Sequence, residues 1–392
     1  MSVFYPEDFK PFSSGLTNHW GSLYGSSEAL ALLEFAESQK QVLVYIAKDI
    51  AHYDEIQKAL KFFNSSLEIL DFSSWEVLAF DHFSPHPDIV SSRLDTLSKL
   101  STLKSGIVIT TLETLSQKLC PTDYIDRYSL SLSAGQTLEI EPFVNKLIKI
   151  GYRRVSTVMD QGEFSIKGAL IDLYPMGAKY PYRIDLFDNE IDSIRTFKAS
   201  TQRSIEVINK IKLLPAREFA SDNESISTFK NNYLSEFGNT DGFIYNEVSE
   251  GRFPGGIEFY LPLFFDKTNT LFDFLNTEPI VVYQKGLSEV MKNQSHELLE
   301  RYEHCNHSLE RLPLEINKVF LSAEKFFKII KDKNQIQTQS SKIDQMGALN
   351  FSSAILPPVK IQAQTKNPLN KLIKFVENFQ SRVLIVCESE GR

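Results

Sequence analysis

The sequence contains no Gly-Lys dipeptide anywhere in its 392 residues. A phosphate loop of the GxxxxGK[ST] type is therefore absent, since its lysine must neutralise the phosphates that the glycine-rich backbone cradles. Cysteine is scarce and scattered, at Cys120, Cys305 and Cys387. An odd number with no CxxC spacing gives neither a disulfide framework nor a zinc ribbon, and it suits a reducing compartment. No apolar run approaches the roughly 18 residues that cross a bilayer, so no membrane partner is expected. The N-terminal MSVFYPEDFKPF has neither the basic nor the apolar region of a secretion signal. No GxSxG occurs, and His304, Cys305 and His307 lack the second cluster that would complete a four-coordinate metal site. The expectation is a chain with no catalytic residue and no metal.

What is present is an ordinary globular composition, 42% hydrophobic and 23% charged. At roughly 150 residues per domain it allows two to four units. The formal net charge of −8 would on average repel nucleic acid, and plain solubility explains it. Strand and helix signals alternate in the first third. QVLVYIA (41–47), SLEILDF (66–72), EVLAF (76–80) and GIVITT (106–111) have strand length and strand composition. Residues 49–63 carry a helical stripe, and Asp88 is placed to cap a second helix through Val90, Leu94, Leu97 and Leu100. Strands separated by helices imply a parallel sheet covered on both faces.

The pattern changes after Pro121. Up to about Leu214 one helix (142–150) is accompanied by short strands in 163–174, 182–187 and 191–197, with Asp188-Asn189 as a hairpin turn. LLPA (213–216) returns the chain to the first unit. Residues 217–342 read as mostly helical, with the dense stretch GGIEFYLPLFF (255–265) buried and 332–342 a polar loop or edge. A new unit begins near Leu349, its helix at 368–379 leading into the strand 383–386. That strand has nothing after it to cover it, so the chain is expected to be part of something longer.

Gly21-Ser-Leu-Tyr-Gly25-Ser-Ser-Glu28 is the nearest approach to a phosphate loop. Serine stands where lysine is needed, and Glu28 would repel a phosphate. Gly21 and Gly25 are read as a structural turn and helix start, with no nucleotide bound. Asp54-Glu55 resembles the acidic pair of ATPases but falls in a helical pattern, so it is read as a solvated face. Asp188, Glu190 and Asp192 belong to a hairpin turn.

Several long stretches resemble one family. WEVLAFDHFSPHPDIV (75–90) continued by Arg93 and Leu94, GYRRVSTVMDQGEFSIKGALIDLYPMG (151–177), YPYRIDLFDNEIDSIRTFKASTQRS (180–204) and GIEFYLPLFF (256–265) look like the N-terminal, UvrB-like part of bacterial transcription-repair coupling factors. The resemblance implies an α/β protein. Residues 1–121 would be a degenerate helicase-like domain, and 122–213 an α+β UvrA-binding insert. Residues 214–345 would be a helical UvrB-like domain, and 346–392 a linker with the start of a further small α/β domain. It implies an adaptor that recruits UvrA for nucleotide excision repair in the cytoplasm, with no ATP hydrolysis and no cofactor in this segment. ATP, Mg²⁺, DNA and RNA polymerase would be engaged by further motor domains of the parent, an ATP-dependent translocase that displaces stalled polymerase. A stand-alone UvrB-like repair protein or a DNA-repair scaffold is the alternative.

Strand parity locates a surface on the insert. In YRIDLF, Tyr182, Ile184 and Leu186 face one way and Arg183, Asp185 and Phe187 the other. Lys167 can join the second face. Parity alone leaves Phe187 equally able to pack under the hairpin or to make contacts. The resemblance assigns Arg183 and Phe187 to the family's UvrA-contacting arginine and aromatic. Lys167 stands where a second arginine is usual, keeping charge but losing bidentate geometry. Gly168 is expected to allow close backbone approach.

Overall fold

The computed structural model describes residues 17–63, 66–307, 311–357, 359 and 367–383. The protein is mixed α/β. Strand β1 (Thr17–Gly21) leads through a short loop into helix α1 (Ser27–Gln39) and strand β2 (Val42–Ala47). Helix α2 (Ile50–Phe62), strand β3 (Glu68–Phe72), helix α3 (Pro87–Leu100) and strand β4 (Gly106–Thr111) follow. The apolar runs VLVYIA and GIVITT form the strands their composition predicts, and every residue of both is buried. Asp49 caps α2 by accepting from the His52 N–H at 2.7 Å. The cap of α3 is His86 rather than Asp88: Pro87 occupies the first turn, where its missing N–H does no harm, and Asp88 follows within that turn.

Residues 76–80 are not a strand. Glu76 and Phe80 both have positive φ (55° and 62°), which breaks the extended run. The segment instead buries Ala79 and Phe80 in an aromatic cluster with Trp75, Phe219, Phe259 and Phe264. GIEFYLPLFF joins the same cluster as a 3₁₀ helix, Ile257–Phe264. The two glycines before it are required by close packing. A Cβ on Gly255 would lie 2.4 Å from the His82 carbonyl oxygen, and one on Gly256 2.3 Å from that of Asp81.

The insert begins and ends side by side. Strands β5 (Leu130–Ser133) and β12 (Lys210–Leu213) pair antiparallel at its neck. Between them, β6 (Arg153–Arg154), β7 (Glu163–Lys167), β8 (Leu170–Tyr174), β9 (Tyr182–Phe187), β10 (Glu190–Phe197) and β11 (Ser204–Ile208) form a second sheet. Its spatial order is β11-β10-β9-β8-β7-β6. The helix Ile140–Lys149 contributes Phe143 and Leu147 to the core under this sheet. That core is continuous with the first unit: Phe164, Ile171, Ile184 and Ile194 share one buried cluster with Val44, Val108 and Leu94.

The segment after the insert was expected to be helical, and it does supply helices such as Asn223–Phe237 and Leu287–Cys305. It also returns two strands to the first sheet. These are β13 (Ile280–Gln284) and β14 (Gln335–Thr338). A further short strand, β15 (Leu349–Asn350), falls where a new unit was expected to begin. All neighbours in this sheet are parallel, in the order β15-β1-β14-β13-β2-β4-β3. The 214–345 and 346–392 boundaries read from sequence therefore cut through a single sheet. Strand β14, QIQT, lies inside the sheet although 332–342 read as a polar loop or edge. The expected strand 383–386 lies, beyond Val383, outside the described residues.

Candidate functional site: the outward face of the insert

Register fixes what the insert sheet shows to solvent. One row runs Ile166, Ile171, Ile184, Ile194 and Ile208 across five strands and faces the core. The next row runs Ser165, Asp172, Arg183, Arg195 and Val207 on the opposite face. A third row, on that same outward face, pairs Lys167 with Leu170, Leu170 with Asp185 and Asp185 with Ser193. Asp188 (φ 54°) takes the left-handed position of the β9–β10 turn, so that Phe187 sits opposite Glu190 at the end of the hairpin. Lys167, Arg183 and Phe187 thus share the outward face, as parity predicts.

Their surroundings differ. Phe187 is 74% exposed and does not pack under the hairpin. Lys167 is exposed too, with no ion pair among the described residues. Arg183 is engaged. Its Nε and Nη2 donate to the two oxygens of Asp172 at 2.7 and 2.9 Å, and its Nη1 donates to the Gln202 carbonyl at 3.3 Å. The guanidinium lies 4.8 Å from the Phe197 ring centroid. Asp172 is buried, and its hydrogen bonding raises Arg183 above the ordinary arginine pKa. A fork-to-fork pair of this kind fixes geometry as well as charge. Arg183 lies on the outward face that parity gives it, but a buried acid on the neighbouring strand holds it against the sheet.

Sequence reading missed three members of this face. Asp172 is the partner of Arg183. Arg195 pairs with Asp185 at 2.7 Å. Val207, on edge strand β11, is 68% exposed. Alternation within IDLY and SIEVI could have marked Asp172 and Val207. Arg195 was hidden by the bulge between Ile191 and Ser193, which shifts the parity of β10. Gly168 takes φ 63° with nothing within 4 Å of a Cβ. The left-handed β7–β8 turn, not close approach, is what requires glycine there.

Other candidate chemistry does not assemble. Among the described residues no three His, Cys, Asp or Glu side chains are grouped to hold a metal. The thiol of Cys305 donates to the Phe80 carbonyl at 3.7 Å. No helix among the described residues is long and apolar enough to cross a membrane.

The short-stranded sheet set into the parallel α/β frame is a distinct insert, and residues 130–219, which contain it, match the family described as the UvrB interaction domain. This chain is 36% identical over 376 residues to the transcription-repair-coupling factor of Haemophilus influenzae, covering 95% of this chain and 33% of that protein. It is 34% identical over 394 residues to that of Escherichia coli, covering 99% of this chain and 34% of the relative. The chain belongs to the transcription-repair coupling factors and corresponds to their N-terminal region. It spans about a third of the length of the curated relatives it matches.

Proposed function

We propose that this chain is an adaptor that recruits UvrA through the outward face of its insert and so links transcription to nucleotide excision repair. The observation that carries this reading is Phe187, a large aromatic 74% exposed on the outward face that Lys167 shares, Lys167 having no ion pair among the described residues. Exposed aromatics on rigid strands serve as contact anchors at little entropic cost. The name of the matched domain and the coupling-factor relatives support the choice of UvrA. In this reading Lys167 and Phe187 touch the partner, and Arg183 offers only the rim of its guanidinium. The remaining organisation follows the family: a degenerate helicase-like unit that hydrolyses no ATP and whose sheet is completed by the returning strands β13 and β14, the insert, and UvrB-like helices. ATP, Mg²⁺, DNA and RNA polymerase belong to other parts of the whole protein. The test is calorimetric titration of UvrA into wild type and Phe187→Ala. Loss of affinity with an unchanged melting temperature is expected, and equal affinities would overturn the reading.

A further inference from the structure

Three parallel strands of the first sheet converge on one buried carboxylate. Glu28, in the first turn of α1, is buried. Tyr45 Oη and Thr338 Oγ1 both donate to its Oε1, at 2.9 and 2.5 Å, and Gln284 Nε2 donates to its Oε2 at 3.0 Å. His52 Nε2 lies 3.7 Å from Oε2 and 3.0 Å from Gln284 Nε2. Tyr45 is near the end of β2, Gln284 ends β13, Thr338 ends β14, and His52 opens α2. All four therefore stand at the carboxyl edge of the sheet, the edge at which open parallel α/β sheets bind their ligands. Burial would raise the Glu28 pKa, but the hydrogen bonds and the nearby imidazole outweigh it and hold the group below the ordinary glutamate value.

In the loop in front of Glu28, three successive N–H groups are already taken by the chain itself. The N–H groups of Ser22 and Leu23 donate to the carbonyls of Ser341 and Gln339, and that of Tyr24 to Ser353 Oγ. A Cβ on Gly21 would lie 2.4 Å from Asn350 Oδ1, so this glycine makes room for the returning chain. His52 faces the carboxylate through Nε2, while its Nδ1 is buried and has no hydrogen-bond partner among the described residues.

We propose that this crevice is an anion site whose ligand is the chain's own Glu28 carboxylate, and that removing that carboxylate opens a pocket for a small exogenous monoanion such as formate or acetate. The inference does not depend on the adaptor reading. Its consequence is that the sheet edge holds a liganded arrangement permanently, with no nucleotide needed to close it. A neutral group in this place would leave three inward-directed donors without an acceptor of matching charge.

The test is thermal denaturation of the full chain as wild type and Glu28→Ala, in chloride, formate or acetate at one pH and ionic strength. Glu28→Ala should melt about 5 °C or more below wild type in chloride. Formate or acetate should recover at least half of that loss along a saturable concentration curve while leaving wild type unmoved. A variant that melts alike in all three salts, or a wild type that shifts as much as the variant, overturns the proposal. Should Glu28→Ala not fold, Glu28→Gln decides the matter. The amide keeps the shape and discards the charge, so it should melt well below wild type. Wild-type stability in Glu28→Gln would show that no anion is required.

Discussion

Arg183 and Asp172, on adjacent antiparallel strands of the insert, form a bidentate ion pair in which the acid is buried and the arginine is largely covered. The arginine therefore has a structural duty besides any contact it makes, and substitutions at 183 act on two quantities at once.

Arg183→Glu should lower stability as well as UvrA affinity, because it sets a second carboxylate against buried Asp172. Removing one partner of a buried pair costs about 3 kcal/mol, and partial exposure here keeps the loss near the lower end. Phe187→Ala should leave the melting temperature unchanged and weaken UvrA binding by about 2 kcal/mol, near 30-fold. Lys167→Ala should weaken binding less, since a lysine contact is a flexible point charge. Melts run beside calorimetric titrations separate the two effects. A stable Arg183→Glu with a destabilised Phe187→Ala would reverse the assignment of duties.

A second buried pair pins the first unit to the chain returning from the insert. Arg93 donates through Nε to Glu218 at 2.6 Å across 125 residues of sequence, and through Nη1 to the Ser73 carbonyl at 2.8 Å. Trp75 Nε1 donates to the same Glu218 oxygen at 3.3 Å, and the guanidinium stacks 4.3 Å from the Phe72 centroid. Arg93→Ala leaves Glu218 buried and unpaired, so a loss of about 3 to 5 kcal/mol is expected in urea denaturation. Arg93→Met with Glu218→Leu should lose much less. Equal stabilities for Arg93→Ala and wild type would mean that the pair contributes nothing.

Acid should destabilise the protein. Glu28, Glu163 and Asp222 are buried to different degrees, which raises a carboxylate, yet hydrogen bonds hold all three below their ordinary values. Glu163 accepts from the N–H groups of Met159 and Asp160 at 2.9 and 3.0 Å and from Arg153. A depressed folded pKa gives stability that is present above the unfolded value and lost as pH falls through the folded one. Glu113 and Glu258 oppose this, because burial raises both. Their contribution is present below the unfolded value and lost as pH rises through the folded one. Glu28, Glu163 and Asp222 outnumber the two raised groups, so stability, read as the denaturation midpoint, should rise between about pH 3 and about pH 5. A midpoint that falls over that interval would contradict the balance.

No Mg²⁺-dependent ATP turnover is expected of this chain. The loop N–H groups at Ser22, Leu23 and Tyr24 already have acceptors, and Glu28 lies behind them. A coupled assay on purified protein measures it. Turnover that co-purifies with the chain and is abolished by a substitution in residues 21–28 would refute the expectation.

Sequence alone determined whatever depends on neighbours along the chain. The largely apolar, β-branched runs 42–47 and 106–111 read as interior strands, the Asp188 turn fixed the β9–β10 hairpin, and strand parity put Lys167, Arg183 and Phe187 on one face. Tertiary structure decided what depends on partners far away. EVLAF has strand composition, yet Glu76 and Phe80 turn out of extension, and Phe80 joins an aromatic cluster built with Trp75 and residues from Phe219 onward. QIQT looks like an exposed polar segment, yet it is an inner strand, because Tyr283 donates to Gln335 and Thr338 donates to Glu28, 310 residues away. Whether a charged side chain is free or engaged is set by hydrogen bonds that close only when distant strands come into register, and no local pattern records them. Parity could place Arg183 on the outward face, but only the register of β8 against β9 could put Asp172 beside it.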